Sequence, residues 1–462
     1  MEINGFRGRL ITADHADYDD ARAIWNGAID RRPRLIARCG GTADVAAAVR
    51  FARDHGLAVA VRGGGHNVAG TAVCDDGIVV DLTELRAVWV DPAGRSARVQ
   101  GGALWGDVDH ETQVFGLATT GGIVSHTGVA GLTLGGGLGW LMRKHGLTVD
   151  NLLAADVVTA DGDMLRASED EHPDLFWALR GGGGNFGVVT SFDFRLHPVG
   201  PDVLAGAIVW DAADTTDVLR FYREFAHDAP DELGTVVRFD TAPPLPDIPE
   251  DLHWRPVVIV ASCYSGSIGE AEKVLGPLRA FGTPLLDRVA PTRYVDHQSG
   301  IDPTVRHGWN YYWKSTYLPE LDDDLVDVLT HQVFAASSPR SYAVVFHLGG
   351  AVGRVSGGHT AFGNRQASHA ITLDAVWQPG EDHGEHDIAW TRGLLASLDR
   401  FRDGVYVNFL GADEAPDRVR EAYGDAVYDR LADVKATYDP DNVFHHNQNI
   451  APRESKARSV TT

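Results

Sequence analysis

The chain has 462 residues, and its 64 acidic side chains outnumber the 41 Lys and Arg side chains, which gives a formal charge of −23. This negative charge opposes binding to nucleic acid and to anionic lipid, so neither is an expected partner. The three cysteines have no paired spacing, which predicts a protein without disulfides. The sequence shows no signal-peptide core and no apolar run of about eighteen residues, so a soluble, cytoplasmic protein without a membrane span is expected.

The first two hundred residues mix strands and helices without a regular alternation of the two. A helix is predicted from Thr42, which can cap it, to Gly56, which stops it. An Asp-Gly pair at 161–162 lies between two apolar runs, as in a tight hairpin. The other predicted elements of this region are strands at 57–61, 77–82, 96–100 and 188–196 and helices at 103–115 and 174–179.

Strands rich in Val and aromatic residues alternate with helices from about residue 201 to 405. The pattern predicts one antiparallel sheet backed by helices. Four aromatic side chains share one face of a predicted strand, either as a core layer or as the wall of a pocket. They are Trp309, Tyr311, Trp313 and Tyr317. The predicted strands are 254–264, 310–317, 342–348 and 370–377, and the predicted helices are 270–281 and 322–335.

Gly182, Gly184 and Gly187 have the spacing of a dinucleotide-binding fingerprint, but their surroundings differ from it. The fingerprint needs a strand before the glycines and a helix after them, so that the helix N-terminus meets the pyrophosphate. Here a predicted helix precedes them and a predicted strand follows. A nicotinamide cofactor in a Rossmann site is therefore disfavoured and is kept only as a competing function.

Two further glycine-rich segments are better placed to hold a ligand. Arg62-Gly-Gly-Gly-His66-Asn67 follows an apolar strand, so that consecutive backbone N–H groups can surround an anion. Residues 131–140, a predicted loop with the sequence Gly-Leu-Thr-Leu-Gly-Gly-Gly-Leu-Gly-Trp, can bring bare backbone against a large planar or phosphorylated ligand. Either segment alone is equally compatible with a plain turn.

Taken in order, four segments resemble the FAD-binding domain of the vanillyl-alcohol-oxidase superfamily, also called the PCMH type. They are residues 62–67, 127–137, 143–151 and 183–188. Residues 438–449, Tyr-Asp-Pro-Asp-Asn-Val-Phe-His-His-Asn-Gln-Asn, resemble the C-terminal signature of its berberine-bridge-enzyme-like branch. The resemblance covers nearly the whole chain, although it is weak between about 200 and 400.

The resemblance implies an α+β fold with a two-part FAD-binding domain at residues 1–200. A substrate-binding domain at 201–405 then carries the antiparallel sheet backed by helices. A C-terminal segment, 406–455, returns to the FAD domain, and residues 456–462 form a flexible tail.

The resemblance also implies how the flavin is attached. In this family the His of the Gly-Gly-Gly-His loop bonds to the 8α-methyl carbon of FAD, which here makes His66 the attachment residue. Many relatives add a second link from a Cys. The matching position is Val124, so a single covalent link is expected.

The segment around that position bears on how the flavin reacts. Ser125 and His126 could face the flavin edge or serve a loop hydrogen bond. Thr127 holds the position that admits or blocks O2, where relatives that react well with oxygen often have Val. Oxidase and dehydrogenase therefore both stay open.

Most residues expected to contact the FAD belong to these glycine-rich loops, and two belong to the C-terminal signature, whose amides can return to the flavin ring or ribityl chain. They are Val61, Arg62, Gly63, Gly64, Gly65, His66, Asn67, Gly70, Gly121, Ser125, Thr127, Gly128, Leu132, Gly135, Gly136, Gly137, Gly139, Trp140, Gly187, Val188, Asn447 and Asn449. No metal is expected, because the adjacent His445 and His446 would point to opposite faces and residues 383–386 lie in a predicted acidic loop.

A Tyr-x-Asn motif commonly supplies the base in this family, and Tyr406-Val407-Asn408 matches it, in a predicted strand that leads to 409–410. The resemblance thus assigns catalysis to Tyr406 and Asn408. A phenol with a pKa near 10 needs a neighbouring cation or hydrogen-bond donor to act as a base near neutrality. The sequence does not identify that helper.

The resemblance implies an FAD-dependent oxidoreductase that takes a hydride from an alcohol, phenol, amine or related secondary-metabolite donor. O2 is the expected acceptor and H2O2 its product. An O2-inert dehydrogenase of the same family and a catalytically silent flavin-binding protein stay open as alternatives. If the aromatic side chains of 309–317 line the pocket, an aromatic or polycyclic donor is favoured over a small sugar.

Overall fold

The computed structural model describes residues 2–246 and 248–454. The expected flexible tail, 456–462, and the last residue of the expected C-terminal segment lie outside the described residues. Among the helices of these two stretches, none combines the length and apolar character that a bilayer span requires. The fold is α+β, as the sequence predicts.

A small mixed sheet forms the N-terminal part of the chain. Its elements are β1 (Arg9–Ile11), α1 (Tyr18–Arg22), β2 (Leu35–Arg38), α2 (Thr42–Asp54), β3 (Val59–Arg62) and β4 (Ile78–Asp81). The strand order is β1-β2-β4-β3, in which β4 runs parallel to β2 and β3 and β1 runs antiparallel to β2. The glycine-rich loop that begins at Gly63 therefore leaves the C-terminal end of a buried parallel strand.

The start of α2 differs from the prediction. The helix itself is where the sequence places it, but Gly41 precedes it with extended backbone and Thr42 is the first helical residue. Thr42 therefore does not cap the helix. The parallel pairing of β2 and β3 with β4 was also not predicted, because it depends on a tertiary alignment that scattered short strands do not reveal.

An antiparallel sheet follows. Its strands and the helices around it are β5 (Val88–Asp91), β6 (Ser96–Gln100), α3 (Trp105–Gln113), β7 (Leu117–Ala118), α4 (Val129–Gly135), α5 (Met142–His145), β8 (Leu152–Val158), β9 (Met164–Ser168), α6 (Pro173–Leu179), β10 (Val188–Arg195) and β11 (His197–Pro198). The order is β5-β6-β10-β8-β9, and β7 pairs with β11 beside it. The predicted hairpin at 156–166 is confirmed as β8–β9. The segment 182–187 lies after α6 and before β10, the reverse of the Rossmann order.

The sequence predicts a loop over residues 131–140, but the first part of this segment is helical. Residues Val129–Gly135 form α4, and only the residues after it are irregular. Gly136 and Gly137 end the helix with φ of 137° and 89°, values that glycine adopts without strain. A short, Gly-containing helix is stable here because Val129, Ala130 and Leu134 pack in the core.

The second half of the chain carries a large antiparallel sheet, as predicted. Its elements are β12 (Asp202–Asp211), α7 (Thr215–His227), β13 (Leu233–Thr241), β14 (Pro256–Tyr264), α8 (Ile268–Arg279), β15 (Leu286–Asp287), β16 (Ala290–Arg293), α9 (Tyr294–Gln298), β17 (Asn310–Leu318), α10 (Asp323–Gln332), β18 (Tyr342–His347), α11 (Ala351–Arg354), β19 (His369–Trp377) and α12 (Gly384–Ser397). The order is β15-β12-β14-β13-β18-β19-β17, and β16 also pairs with β12.

The two faces of this sheet bury different partners. On β18, Ala343 and Val345 belong to the core under α7, α8, α10 and α12, whereas Tyr342, Val344 and Phe346 belong to the core shared with the first half of the chain. The alternation follows from the two-residue period of a strand. The face that carries Tyr342 and Phe346 is therefore the one that packs towards the glycine-rich loops of the first half.

The C-terminal residues pack back against the first half of the chain. They contain α13 (Pro416–Tyr423) and α14 (Asp425–Tyr438). Lys435 is fully buried, and its Nζ donates to Asp439 Oδ2 at 2.6 Å, to the carbonyl of Asn185 at 2.7 Å and to the carbonyl of Phe444 at 3.0 Å. The buried cation thus ties α14 and the residues after it to the segment before β10.

Candidate active site

A cavity of about 320 Å³ lies between the glycine-rich loops of the first half and the large sheet of the second. Some of the residues in 63–67, 122–138 and 183–189 line one side. Residues of strands β13, β17, β18 and β19, and of the segments 406–409 and 444–448, supply most of the remaining lining. The pocket is concave and mostly apolar, with a few polar groups that converge on it, as is usual for a cofactor and small-molecule site.

Many of the residues that the sequence predicted for the cofactor do line this cavity. They are Val61, Gly63, Gly64, Gly65, His66, Asn67, Thr127, Gly128, Leu132, Gly187, Val188 and Asn447, and both predicted catalytic residues, Tyr406 and Asn408, join them. The others lie behind the lining: Arg62, Gly70, Gly121, Ser125, Gly135, Gly136, Gly137, Gly139, Trp140 and Asn449.

Two glycines bring the first two loops into backbone contact. A Cβ added at Gly64 would lie 2.5 Å from Cα and N of Gly128, and one added at Gly128 would lie 2.4 Å from N of Gly64. No side chain fits at either position, because real Cβ atoms do not approach backbone that closely. The glycines therefore serve to join the two loops as well as to bare their backbone to the cavity.

Arg62 has a different role from the predicted one. Its side chain is buried and pairs with Asp81, with 2.6 Å between Nη2 and Oδ2, and Nη1 donates to the carbonyl of Ala21 at 2.5 Å. Arg62 thus fixes the end of β3 to β4 and to the N-terminal segment. It orients the glycine-rich loop without facing the cavity.

His66 lies in an aromatic and histidine cluster. Trp25 stacks on its ring, with centroids 4.1 Å apart and planes 16° apart, and the ring of His126 lies 5.0 Å away. His66 Nε2 is buried and has no hydrogen-bond partner. Burial, and then the neighbouring His126, lower the pKa of His66 to about 3. The imidazole is therefore neutral at pH 7 and keeps a nitrogen lone pair.

Residues of the second half hold the loop that contains His126. Asp302 accepts hydrogen bonds from the backbone N of Ser125 at 3.0 Å and from its Oγ at 2.5 Å. Gln298 Nε2 donates to Asp109 at 3.0 Å and to the carbonyl of Gly122 at 3.3 Å. Of the two roles left open for Ser125, the structure supports the loop hydrogen bond.

Tyr406 is buried beside the cavity. Its hydroxyl oxygen accepts hydrogen bonds from the backbone N of Gly137 at 2.7 Å and from Asn408 Nδ2 at 2.8 Å. Burial raises the pKa of Tyr406 to about 12, and these two donors oppose the rise. They are hydrogen-bond donors of the kind that a phenolic base requires, and the sequence does not identify the contact with Gly137.

The motif lies on a turn and not on the predicted strand. Val407–Phe409 form a single 3-10 turn directly after Tyr406. A turn brings the side chains of residues two apart together, which lets Asn408 reach the Tyr406 hydroxyl while it also donates to the carbonyl of Leu132 at 3.1 Å.

The sheet side of the cavity contains charged groups that the sequence did not single out. Arg238 Nε donates to Asp240 Oδ2 at 2.6 Å, and its guanidinium lies 3.7 Å from the ring centroid of Tyr342. Asp374 is 2% exposed and its Oδ2 has no partner. Burial raises the pKa of Asp374 to about 7. These residues come from three strands far apart in sequence, so no local motif joins them.

The predicted aromatic stripe divides between the two roles that stayed open. Trp313 lines the cavity. Tyr311 stacks on Trp25 with centroids 3.7 Å apart, and Tyr317 is buried in the core. The stripe is therefore partly pocket and mainly core.

The C-terminal signature also reaches the cavity. Asn447 Nδ2 donates to the carbonyl of Gly184 at 3.0 Å, while the side-chain oxygens of Asn447 and Asn449 are buried without partners. His446 contacts Arg31 and the carbonyl of Val73, and His445 contacts the carbonyl of Asn442.

Residues 383–386, predicted as a loop, include the start of α12. Asp387, the next residue of that helix, accepts hydrogen bonds from the backbone N of Ser337 and of Ser338.

Bare loop backbone, a neutral imidazole, unpartnered amide oxygens and a buried phenol define a two-domain protein that encloses a large organic cofactor beside a small-molecule pocket. Two family models match the chain: an FAD binding domain over residues 33–168, and a "berberine and berberine like" model over residues 405–451.

Similar proteins cover the whole length. (R)-6-hydroxynicotine oxidase of Paenarthrobacter nicotinovorans is 35% identical, over 97% of this chain and 98% of its own. The crystal structure of 6-hydroxy-D-nicotine oxidase from Arthrobacter nicotinovorans superposes with a TM-score of 0.85 at 31% identity, over 96% of this chain and 98% of that one. Glucooligosaccharide oxidase from Acremonium strictum, whose structure is described with a 6-S-cysteinyl, 8α-N1-histidyl FAD, has a TM-score of 0.83 at 25% identity, over 97% and 98%.

The chain therefore belongs to the berberine-bridge-enzyme-like family of FAD-linked oxidoreductases. It is an enzyme, and FAD is its cofactor, as the sequence predicts.

Proposed function

We propose that the enzyme holds FAD in this cavity through one covalent bond, from His66. The neutral imidazole and its unpartnered nitrogen support His66 as the nucleophile. The glycine contacts and the free amide oxygen of Asn447, which lines the cavity, support a planar, polar-edged group against these loops. The predicted cofactor residues behind the lining then act by shaping the loops.

The proposal includes no second covalent bond to the flavin of the cysteinyl type named for glucooligosaccharide oxidase. Val124 lines the cavity at the matching position and carries no nucleophile. Cys39, Cys74 and Cys263 are free and buried elsewhere, and burial raises the pKa of the Cys74 thiol to about 11. Free thiols also support the cytoplasm as the compartment.

Tyr406 is the proposed base. Bound FAD supplies the acceptor for a hydride from the donor, and the donor must lose a proton at the same time. To act as base, Tyr406 first releases its own proton, which the two donors to its oxygen leave free to point elsewhere. Gly137 and Asn408 then stabilise the phenolate that takes the proton of the donor. This pair of donors on a buried phenol inside the cavity is the observation that carries the proposal.

The proposed donor is an alcohol, phenol or amine with an aromatic or polycyclic body. Trp313, Tyr342, Phe346 and Phe409 line the cavity and offer ring faces to such a body. The name of (R)-6-hydroxynicotine oxidase points in the same direction. O2 is the proposed acceptor, with H2O2 as product. The proposed division of labour places cofactor binding in 1–200, donor binding in 201–405 and the base in 406–455.

The test is a two-stage kinetic measurement. A panel of aromatic alcohols, phenols and amines is mixed anaerobically with the enzyme, and bleaching of the flavin absorbance identifies donors. The reduced enzyme is then mixed with air-saturated buffer. Rapid recovery of the absorbance with one H2O2 per donor is expected. Slow recovery would instead assign an O2-inert dehydrogenase, and no bleaching by any donor would assign a silent flavin-binding protein.

A further inference from the structure

The histidine beside the attachment residue has an environment of its own. His126 and His66 are in ring contact, with centroids 5.0 Å apart and planes at 34°. Trp25, which is 1% exposed, and Tyr311 stack in series next to His66 and prevent its ring from turning freely. His126 lies on a loop that is hydrogen-bonded to Asp302 through Ser125.

The two imidazoles differ in how they can carry a positive charge. For His66, every neighbouring imidazole opposes protonation: His126 and His307 both lower its pKa, after burial. For His126, burial lowers the pKa, but the Asp302 carboxylate and the backbone of Val305 act in the opposite direction. Charge is therefore tolerated better on His126 than on His66.

Attachment of a flavin to His66 produces protons inside a closed site. One N–C bond forms between His66 and the 8α carbon, while one C–H bond of the methyl group and the N–H bond of the imidazole break. Two protons and two electrons are thereby lost from the methyl group and the imidazole, and O2 takes up both protons and both electrons to give H2O2. The imidazole proton leaves the ring nitrogen that does not bond the flavin, and Trp25 covers one face of that ring.

We propose that His126 accepts the proton that His66 loses when the flavin becomes attached. Asp302 fixes the position of the His126 loop through Ser125, and its carboxylate stabilises the positive charge that His126 gains. The proposal rests on the covalent link proposed above. With the ring centroids 5.0 Å apart, one water can carry the proton from the first imidazole to the second. His126 is only partly buried, so it can return the proton to solvent. Its role is in making the holoenzyme and not in turnover.

The experiment follows attachment in the full-length protein. Wild type, His126→Ala, His126→Gln, His307→Ala and His66→Ala are produced under riboflavin limitation, supplied with FAD in air, and sampled over time. Total bound flavin is read from the native absorbance, and attached flavin from the colour that stays with acid-precipitated polypeptide. His307→Ala is the matched control, because His307 is an exposed member of the same cluster.

The expected result is at least a tenfold slower attachment in both His126 variants, with total bound flavin unchanged and His307→Ala like wild type. Added imidazole should restore the rate in His126→Ala, which has space for it, more than in His126→Gln. A wild-type rate in both His126 variants would overturn this inference alone. No attached flavin in wild type, or undiminished attachment in His66→Ala, would overturn the proposed link itself, and this inference with it.

Discussion

Burial favours the role proposed for His66 and opposes the role proposed for Tyr406. Burial disfavours charge, so it lowers the pKa of the imidazole and raises that of the phenol, and both groups are neutral at pH 7. Neutrality suits the proposed role of His66 as nucleophile. The proposed base, Tyr406, instead needs its phenolate stabilised, and Gly137 and Asn408 donate to its oxygen.

Removal of the Tyr406 hydroxyl should slow flavin reduction. We expect Tyr406→Phe to lower the anaerobic rate constant for reduction about 10²–10⁴-fold, the usual contribution of a positioned general base. The donor Kd should change far less, because the ring that packs against Phe409 and Phe362 is retained. Stopped-flow absorbance at saturating donor measures the effect.

Tyr423 offers a matched control for that variant. It is equally buried, but its hydroxyl has no hydrogen-bond partner. Tyr423→Phe should therefore reduce its flavin at the wild-type rate. Equal rates in wild type and Tyr406→Phe would remove Tyr406 from the role of base.

Sequence reasoning found the residues that belong to local motifs and missed those that tertiary structure brings in. His66, Tyr406 and Asn408 are embedded in recognisable segments. Trp25 is an isolated aromatic residue before any motif, and Asp374 lies on a strand with ordinary alternation. Only the pairing of Tyr342 with Asp374 across β18 and β19 places that carboxyl on the cavity wall.

At the level of elements, the site depends on loops that touch through glycine. Gly64 and Gly128 meet backbone to backbone, so the loop after β3 and the loop before α4 have one relative position. We expect Gly64→Ala to force the two loops apart, at a cost of about 1–3 kcal/mol in the free energy of unfolding. Bound flavin per polypeptide, read from absorbance, should fall severalfold.

Gly393, inside α12, is the control for a general effect of adding a methyl group. A Cβ there meets nothing within 4 Å. Gly393→Ala should leave flavin content unchanged and raise stability by about 0.5–1 kcal/mol, because alanine is the better helix former. Wild-type flavin content in Gly64→Ala would show that the loop contact does not position the cofactor site.

The contact between α3 and α9 makes a pH-dependent contribution to stability. Asp109 on α3 is buried with Gln298 of α9 as its donor, and burial raises its pKa to about 7 from 3.8. The folded protein therefore binds this proton more tightly than the unfolded chain, so ionisation of Asp109 lowers stability progressively between about pH 4 and pH 7.

Asp109→Asn removes that ionisation and keeps an oxygen for Gln298. We expect the variant to gain stability relative to wild type as the pH rises, by roughly 1–4 kcal/mol between pH 4 and pH 8. Urea unfolding at several pH values measures the difference, in which the other titrating groups cancel. A constant difference across this range would contradict a raised pKa for Asp109.

The predicted elements failed where tertiary packing overrides local pattern. α4 forms from a Gly-rich segment because its apolar side chains have a core to enter. The turn at Val407–Phe409 replaces a predicted strand because Asn408 is bonded to Tyr406 and Leu132. The four strands and two helices predicted in the second half correspond to β14, β17, β18, β19, α8 and α10 within a few residues, since their burial follows their own periodicity.

At the scale of the molecule, the cavity exists because separate parts of the chain close on it. Asn26 bonds the carbonyls of Val68 and Tyr311, which joins the loop after β3 to β17. Asp302 and Gln298 hold the 122–128 loop from the other half through Ser125 and the carbonyl of Gly122. Lys435 then fastens the C-terminal residues beside the 183–189 segment.

The buried Lys435 lends itself to a test of this closure. We expect Lys435→Met to lower the free energy of unfolding by about 3–5 kcal/mol, because Asp439 would be left as an unpaired buried carboxylate. Lys435→Met combined with Asp439→Asn should recover part of the loss. Thermal unfolding measures both, and Arg453→Ala, at an exposed ion pair, should change the stability by less than about 1 kcal/mol.

The central claim is that one FAD is attached, and that His66 alone carries it. Mass spectrometry of the denatured protein, followed by fragmentation of the peptide that contains His66, tests it most directly. The account predicts an intact mass raised by one FAD, located on His66, and an unmodified mass for His66→Ala. An unmodified wild-type protein, or a flavin located on any other residue, would contradict it.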